Sequence, residues 1–544
     1  MITSASPVKL PNETGLFFPD LSALVVDGFH PAEGAGRGWI RFDYELDCFA
    51  GVGLATGAES GAGELVLDLG LIGWHRLHLA HNPRLRVWLD GDPGYCEVTG
   101  DRGSISEYAF PAADFTGRKL HIAPGRNPER QEEVTIFYLR AEPCEPRTNH
   151  RNLIATNDGH NPFCKNPQTP QDFLKAVYEL ADSDFFRLVW GTYGGSMLTL
   201  RPDTKAGFSP IWPDGTSFRT VDLHFNRSLQ RMRDAGVDPL ALVRQATRDI
   251  GIELDYYYRT ACFYGPFPLS GKTTDFYREH PEWRSVDEFG RTLTFISYAF
   301  PQVQEAVLAY FAELLDYEPD GLCIAFNRGL PMMICEEPVR AEFRRRHGRD
   351  PKLPEEVDSP EMLAVRHAML ADFVERVKRL CESRGARLSC IAPRDFERNF
   401  LTGLNLDLLL ERGLLDNVMI GAGHKDDPAL NLDLAPLMEL RNKYGIPIYP
   451  GGSNSKGHGC AWTNDGGWSE RARYMRSILE AGFEGAFIWD VHNIAGHDWD
   501  TLRQFGDRVY LDRLADGEAP PPISRKTLSI GGAIGGRYST WIGY

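Results

Sequence analysis

The sequence lacks most of the short motifs that announce a chemistry. Its ten cysteines contain no Cys-x-x-Cys pair, which removes the usual signature of a zinc knuckle or a thioredoxin-type redox centre. Cysteines spread this thinly through 544 residues are expected to be mostly reduced core side chains. There is no His-Glu-x-x-His, no Gly-x-Ser-x-Gly and no Walker-type phosphate loop. Positive charge is in deficit. The 59 Lys and Arg against 75 Asp and Glu leave a formal charge of −16, which argues against nucleic acid or an anionic membrane as a partner. No apolar run is long enough to span a bilayer as a helix. The opening "MITSASPVKLPNETGLFFPD" has neither the basic nor the apolar region of a signal peptide, so a cytoplasmic location is expected. A periplasmic or secreted chain trimmed of its leader would read the same way.

What is present is ordinary globular material, 42% hydrophobic and 25% charged, at a length that asks for two or three domains. Up to about Pro146 the chain reads as strands. "ELVLDLGL", "WHRLHLA", "RLRVWLD", "KLHIAP" and "EVTIFYLRA" are short apolar or alternating runs set between Gly, Pro, Asp and Asn clusters. Residues 1–148 are therefore expected to form an antiparallel β-sandwich. Within it Trp74, Trp88 and Phe137 read as sheet-core side chains rather than as aromatics that stack on sugars.

From Asn152 the pattern changes. "NLIAT", "FFRLVW", "IELDYYY", "GLCIAF", "RLSCIA", "DNVMIG", "IPIYPG" and "GAFIW" are each followed by a helical period. One helix opens at Thr169-Pro170 and another at Ser359-Pro360, both cap signals. This alternation predicts an α/β fold, a (β/α)₈ TIM barrel over 149–515. An open doubly wound sheet is the competing fold, but no Gly-x-Gly-x-x-Gly turn follows a strand. The Gly-rich segment 516–544 is expected to pack back as an extra strand on the barrel or the sandwich.

The segment "FYREHPEWRSVDEFGRTLTFISYAFPQV" shows no clear period and follows the third barrel strand. It reads as a long active-site loop, 260–300, over the barrel mouth. Its order of residues (His280, Pro281, Glu282, Trp283, then Asp287, Gly290, Pro301, Val303, Val307, Asp320 and Gly321) resembles that of glycosyl-hydrolase-like TIM barrels, family-10-like proteins with an N-terminal β-domain. The resemblance implies a carbohydrate-active enzyme. It also shows a departure: many relatives carry an Asp further along strand 4, where this chain has Ala325. The Asn-Glu pair of the largest retaining clan is missing too, since Arg328 follows Asn327.

Hydrolysis of a glycosidic bond takes two carboxyl groups, one protonated and one ionised. At the expected strand ends the sequence offers Asp158, Glu336, Glu337, Asp395 and Asp490, with Asp426 and Asp427 as further candidates. Asp490 and Asp395 are the leading pair; the others could equally be helix caps or first-turn carboxylates. Substrate contacts are expected from Tyr257, Arg259, Trp283, Asn327, Arg328, His424, Lys425, Asn454, Trp489 and His492. No cofactor and no metal is expected. Metal-dependent hydrolysis and a non-catalytic sugar-binding barrel stand as the alternatives. The expected partner is a carbohydrate substrate, and a homo-oligomeric state is left open.

Overall fold

The structure is a computed structural model that describes residues 15–28, 38–46, 49–57, 62–82, 84–99, 104–125, 133–192, 219–260, 275–421, 433–452, 468–489, 491, 499–518 and 524–529. The chain divides into two compact units, one of 1–149, 495–502 and 519–544, the other of 150–494 and 503–518.

The first unit is built from two antiparallel sheets. The eight-stranded one runs in the order Ser524–Ser529, Ser104–Ala109, Trp74–Asn82, Val134–Pro143, Phe49–Thr56 and Trp39–Leu46, with two short strands beside it. The five-stranded one runs Val25–Asp27, Leu65–Leu67, Leu120–Pro124, Arg84–Leu89 and Cys96–Thr99. Strand alternation sends every second side chain to one face. Leu77, Leu79 and Leu139 of the larger sheet and Leu65, Leu67, Leu85, Val87, Leu120 and Ile122 of the smaller one fall in a single buried cluster. Trp88 does not belong to it. It lies on the opposite face of its strand, half-buried, which corrects its expected place in the core.

The second unit is a closed parallel barrel of eight strands. They are β1 (Leu153–Asn157), β2 (Phe185–Gly191), β3 (Glu253–Arg259), β4 (Gly321–Ala325), β5 (Arg387–Ala392), β6 (Asn417–Ile420), β7 (Ile448–Gly452) and β8 (Ala486–Ile488). Helices fill the connections, and their ends show why they begin where they do. Thr169 accepts from the Asp172 backbone N–H while the Asp172 side chain reaches back to Thr169 N, a complete capping box ahead of Pro170. Asp238 and Ser359 cap the helices Pro239–Asp249 and Pro360–Glu382 in the same sense.

Inside the barrel, Ile154, Val189, Tyr257, Cys323, Ala325, Ile391, Met419, Phe487 and Trp489 form one buried cluster. At the strand starts, the N-terminal end, lies a charged floor. Arg187 pairs with Glu253 at 2.9 Å, and Arg387 bridges Asp255 at 2.6 Å and Glu253 at 3.0 Å. Gly321 is required here, because a Cβ would sit 2.7 Å from an Asp255 oxygen and against the Arg387 side chain. Its neighbour Asp320 accepts from Leu254 N and from Arg244, each at 2.8 Å, and so ties the start of β4 to β3.

The loop after β3 is more ordered than its sequence suggests. It holds a short helix, Asp275–Glu279, a 3₁₀ turn, Pro281–Trp283, and a hairpin of Arg284–Val286 with Thr292–Ile296. Asp287 organises the hairpin turn by accepting from Phe289 N and Arg291 N, with Gly290 at φ +78°. Residues 261–274 of the expected loop lie outside the described residues.

Candidate active site at the barrel mouth

Three side chains from two strands meet where the strands end. Asp158 follows β1 directly, is buried, accepts a hydrogen bond from the Tyr257 hydroxyl and pairs with the Arg259 guanidinium. Tyr257 and Arg259 are two residues apart on β3, so they share a face. Between β1 and β3 runs β2, and the meeting across it depends on Gly191. A Cβ there would collide with the Asp158 carbonyl and stand 3.0 Å from the Tyr257 ring. Gly159 is equally constrained, at φ +76° with its missing Cβ directed at the Gly191 carbonyl. Two glycines thus clear the way for one carboxylate. Its backbone turn is fixed by Asn157, whose side-chain oxygen accepts from Gly159 N at 2.9 Å.

Trp489, just past β8, packs its ring 6.1 Å from that of Tyr257 and is almost fully buried. Alternation along β3 sends its successive tyrosines to opposite faces. Tyr257 does face inward, whereas Tyr256 and Tyr258 face the helices: the Tyr256 hydroxyl donates to Leu240 O at 2.6 Å, and Tyr258 packs on Phe311. Nearby polar atoms are left without partners among the described residues, namely Thr260 Oγ1 just after β3 and Asn327 Oδ1 in the 3₁₀ turn after β4. Buried polar atoms are rarely left so unless a ligand or water completes them. Thr260 carries no sequence signal beyond its place one residue past β3.

Three of the other expected carboxylates, Asp395, Glu337 and Glu336, have structural roles. Asp395 is exposed and caps the helix Phe396–Leu401, accepting from Arg398 N at 2.9 Å. Glu337 is the exposed first residue of the helix Glu337–His347 and pairs with Arg344. Glu336 is fully buried and accepts from Val286 N at 3.2 Å and Ile334 N at 2.8 Å, joining the loops after β3 and β4. Burial pushes its carboxyl above the usual range, against the pull of those backbone bonds. Trp283 stacks on His280 with ring centroids 3.7 Å apart. Asp490, His492, His424, Lys425, Asn454, Asp426, Asp427 and the Arg328 side chain lie outside the described residues. Among the described residues no group of three or more His, Cys, Asp or Glu is placed to hold a metal ion, and no helix is long and apolar enough to cross a membrane.

No protein-family profile matches the chain. No curated protein matches it either. Among solved structures it is similar to the glycoside hydrolase domain of PgaB (BpsB) from Bordetella bronchiseptica, at 12% identity and a TM-score of 0.44, over 65% of this chain and 98% of that one. It is also similar to alpha-L-fucosidase isoenzyme 2 from Paenibacillus thiaminolyticus (12% identity, TM-score 0.42, 67% of this chain and 50% of that one). An alpha-galactosidase from Thermus thermophilus matches over 86% of this chain and 95% of its own, at 12% identity and a TM-score of 0.35. With every one of these TM-scores below 0.5, the activity of this chain has to be argued from its own residues.

Proposed function

We propose that the protein is a TIM-barrel hydrolase that cleaves a glycosidic bond at the C-terminal mouth of its barrel. The observation that carries this is Asp158, a carboxylate buried at the mouth and oriented by Tyr257 and Arg259 across the gap left by Gly191. A carboxylate held between a phenol donor and a guanidinium presents a fixed oxygen to a bound ring, and fixed charge is what stabilises an oxocarbenium-like transition state. Asp490, which follows Trp489 in the sequence, is the second carboxylate of this reading. Barrel enzymes build their sites from residues just past the strand ends, and β8 is the neighbour of β1. Trp489 and Tyr257, packed together in the buried barrel cluster, support this carboxylate from the core side. In the same reading the two antiparallel sheets of the first unit are the faces of a sandwich.

A non-catalytic sugar-binding barrel is the second reading, favoured by Ala325 and by the structural roles of Asp395, Glu336 and Glu337. One experiment separates the two. Turnover of a panel of 4-nitrophenyl glycosides is measured for the parent, Asp158→Asn and Asp490→Asn. A hydrolase loses roughly a thousandfold or more in kcat in each variant. Activity unchanged in both excludes the proposed pair, and a parent inert on the whole panel that still binds sugars supports the binding barrel.

A further inference from the structure

The outer face of the five-stranded sheet carries a site that the barrel chemistry does not use. Along Arg84–Leu89 the leucines and Val87 enter the core, and Arg84, Arg86 and Trp88 face the other way. Trp88 is half-buried. Its cross-strand partner is His121, stacked on it with centroids 5.4 Å apart and planes 17° from parallel. His121 is itself clamped, Nδ1 to Glu64 at 2.5 Å and Nε2 to Asp90 at 2.6 Å. On the other side Tyr95 lies 6.5 Å from Trp88, under the Arg86 guanidinium at 5.4 Å.

We propose that this face binds an uncharged polysaccharide chain, with the Trp88, His121 and Tyr95 rings together as its apolar platform and the flanking side chains as hydrogen-bonding partners. Two properties select that ligand. First, an aromatic group beside oriented carboxylates suits a pyranose, whose C–H faces are apolar and whose rim is hydroxyl. Second, the face is electrically balanced. Arg84, Arg86 and His121 stand against Glu97, Glu64 and Asp90, with Arg84 and Glu97 3.7 Å apart, so neither an anionic nor a cationic polymer gains from it. The paired charges also hold one another in place, which lowers the entropy lost when a hydroxyl binds. The inference takes only the class of ligand from the proposed activity, and it needs no hydrolysis to be true.

The test is native electrophoresis of the full-length protein in gels containing hydroxyethylcellulose, galactomannan or xylan, with polygalacturonate as the anionic counterpart. Retardation is expected in at least one neutral gel. Trp88→Ala should weaken it at least tenfold while turnover of small 4-nitrophenyl glycosides stays at the parent level. Trp88→Phe, which keeps an aromatic ring, should retain most of the retardation and so guards against a merely unfolded sheet. Asp158→Asn should migrate like the parent, which keeps a failure of the barrel reading apart from a failure of this one. The proposal is overturned if no neutral gel retards the protein, if Trp88→Ala is retarded as strongly as the parent, or if retardation occurs in polygalacturonate alone.

Discussion

The Tyr257 hydroxyl donates to the Asp158 carboxylate, joining the third strand of the barrel to the first across a glycine of the second. Tyr257→Phe keeps the ring in the buried cluster and removes only this donor. It should lower stability by about 1.5–3 kcal/mol, the range of a single hydrogen bond to a charged group. It should also reduce kcat by about tenfold or more through a misoriented carboxylate. A thermal melt together with kcat on the best 4-nitrophenyl glycoside checks both. Loss of stability with full turnover would show that Asp158 needs no help from Tyr257.

Gly159→Ala tests the same geometry from the backbone. The residue has φ +76° and its Cβ would run into the Gly191 carbonyl. Strain in the left-handed region alone costs ~1 kcal/mol, and the collision adds to it. Urea titration should show a fall of at least about 2 kcal/mol. An unchanged midpoint would mean that the turn after β1 is not held as described.

His81 should make the first unit acid-sensitive. It is fully buried, neither ring nitrogen is hydrogen-bonded among the described residues, and burial lowers its pKa from 6.5 to about 3. Above the unfolded value both states are neutral and the residue has no effect on the pH dependence. As pH falls from 6.5 towards 3 only the unfolded chain gains the proton, so stability is lost across that window, on the order of 4 kcal/mol in total. His81→Leu should flatten this part of the stability–pH curve, measured by chemical denaturation at several pH values. An identical slope in variant and parent would place the titration elsewhere.

How much of this was legible in the sequence differs between strands and site. All eight barrel strands could be read because each is a contiguous apolar run followed by a helical period, as a strand buried on both faces must be. The carboxylates were harder. A strand-end Asp at a barrel mouth and a helix N-cap Asp occupy the same place in sequence, so the sequence alone does not separate a catalytic Asp395 from the N-cap that the structure shows. Asp320 and Gly321, prominent in the family resemblance, serve the charged floor rather than the mouth. Trp88 could have been placed correctly. Its alternation with Leu85, Val87 and Leu89 puts it with Arg84 and Arg86, on the side that does not enter the core.

Glu336 offers a contrast between charge and shape. Burial raises its folded pKa, so its contribution to stability is fully present below the unfolded value and is lost as pH rises through the folded one. At neutral pH the ionised form is therefore the costly one. Glu336→Gln keeps one acceptor oxygen but turns its amide N–H₂ towards the other backbone N–H, and should lose about 1 kcal/mol or more at pH 8, whereas Glu336→Ala orphans both backbone N–H groups and should lose at least about 2 kcal/mol. Equal losses in Gln and Ala at pH 8 would show that the negative charge itself holds the two loops.

The barrel closes through contacts such as Thr156 to the Ile488 carbonyl, 332 positions apart in the chain. During synthesis, at ~5–20 residues per second, β1 therefore waits roughly 15–70 s before its partner β8 has even been made. The first unit waits longer still, because the edge strand Ser104–Ala109 is covered only by Ser524–Ser529, the last described strand of the chain. Throughout that interval the growing chain carries an open barrel seam and a bare sheet edge, both templates for mispairing. A cell making this protein has a use for chaperones that hold nascent chains, and a ribosome that stalls before Ile488 releases a product with neither unit complete.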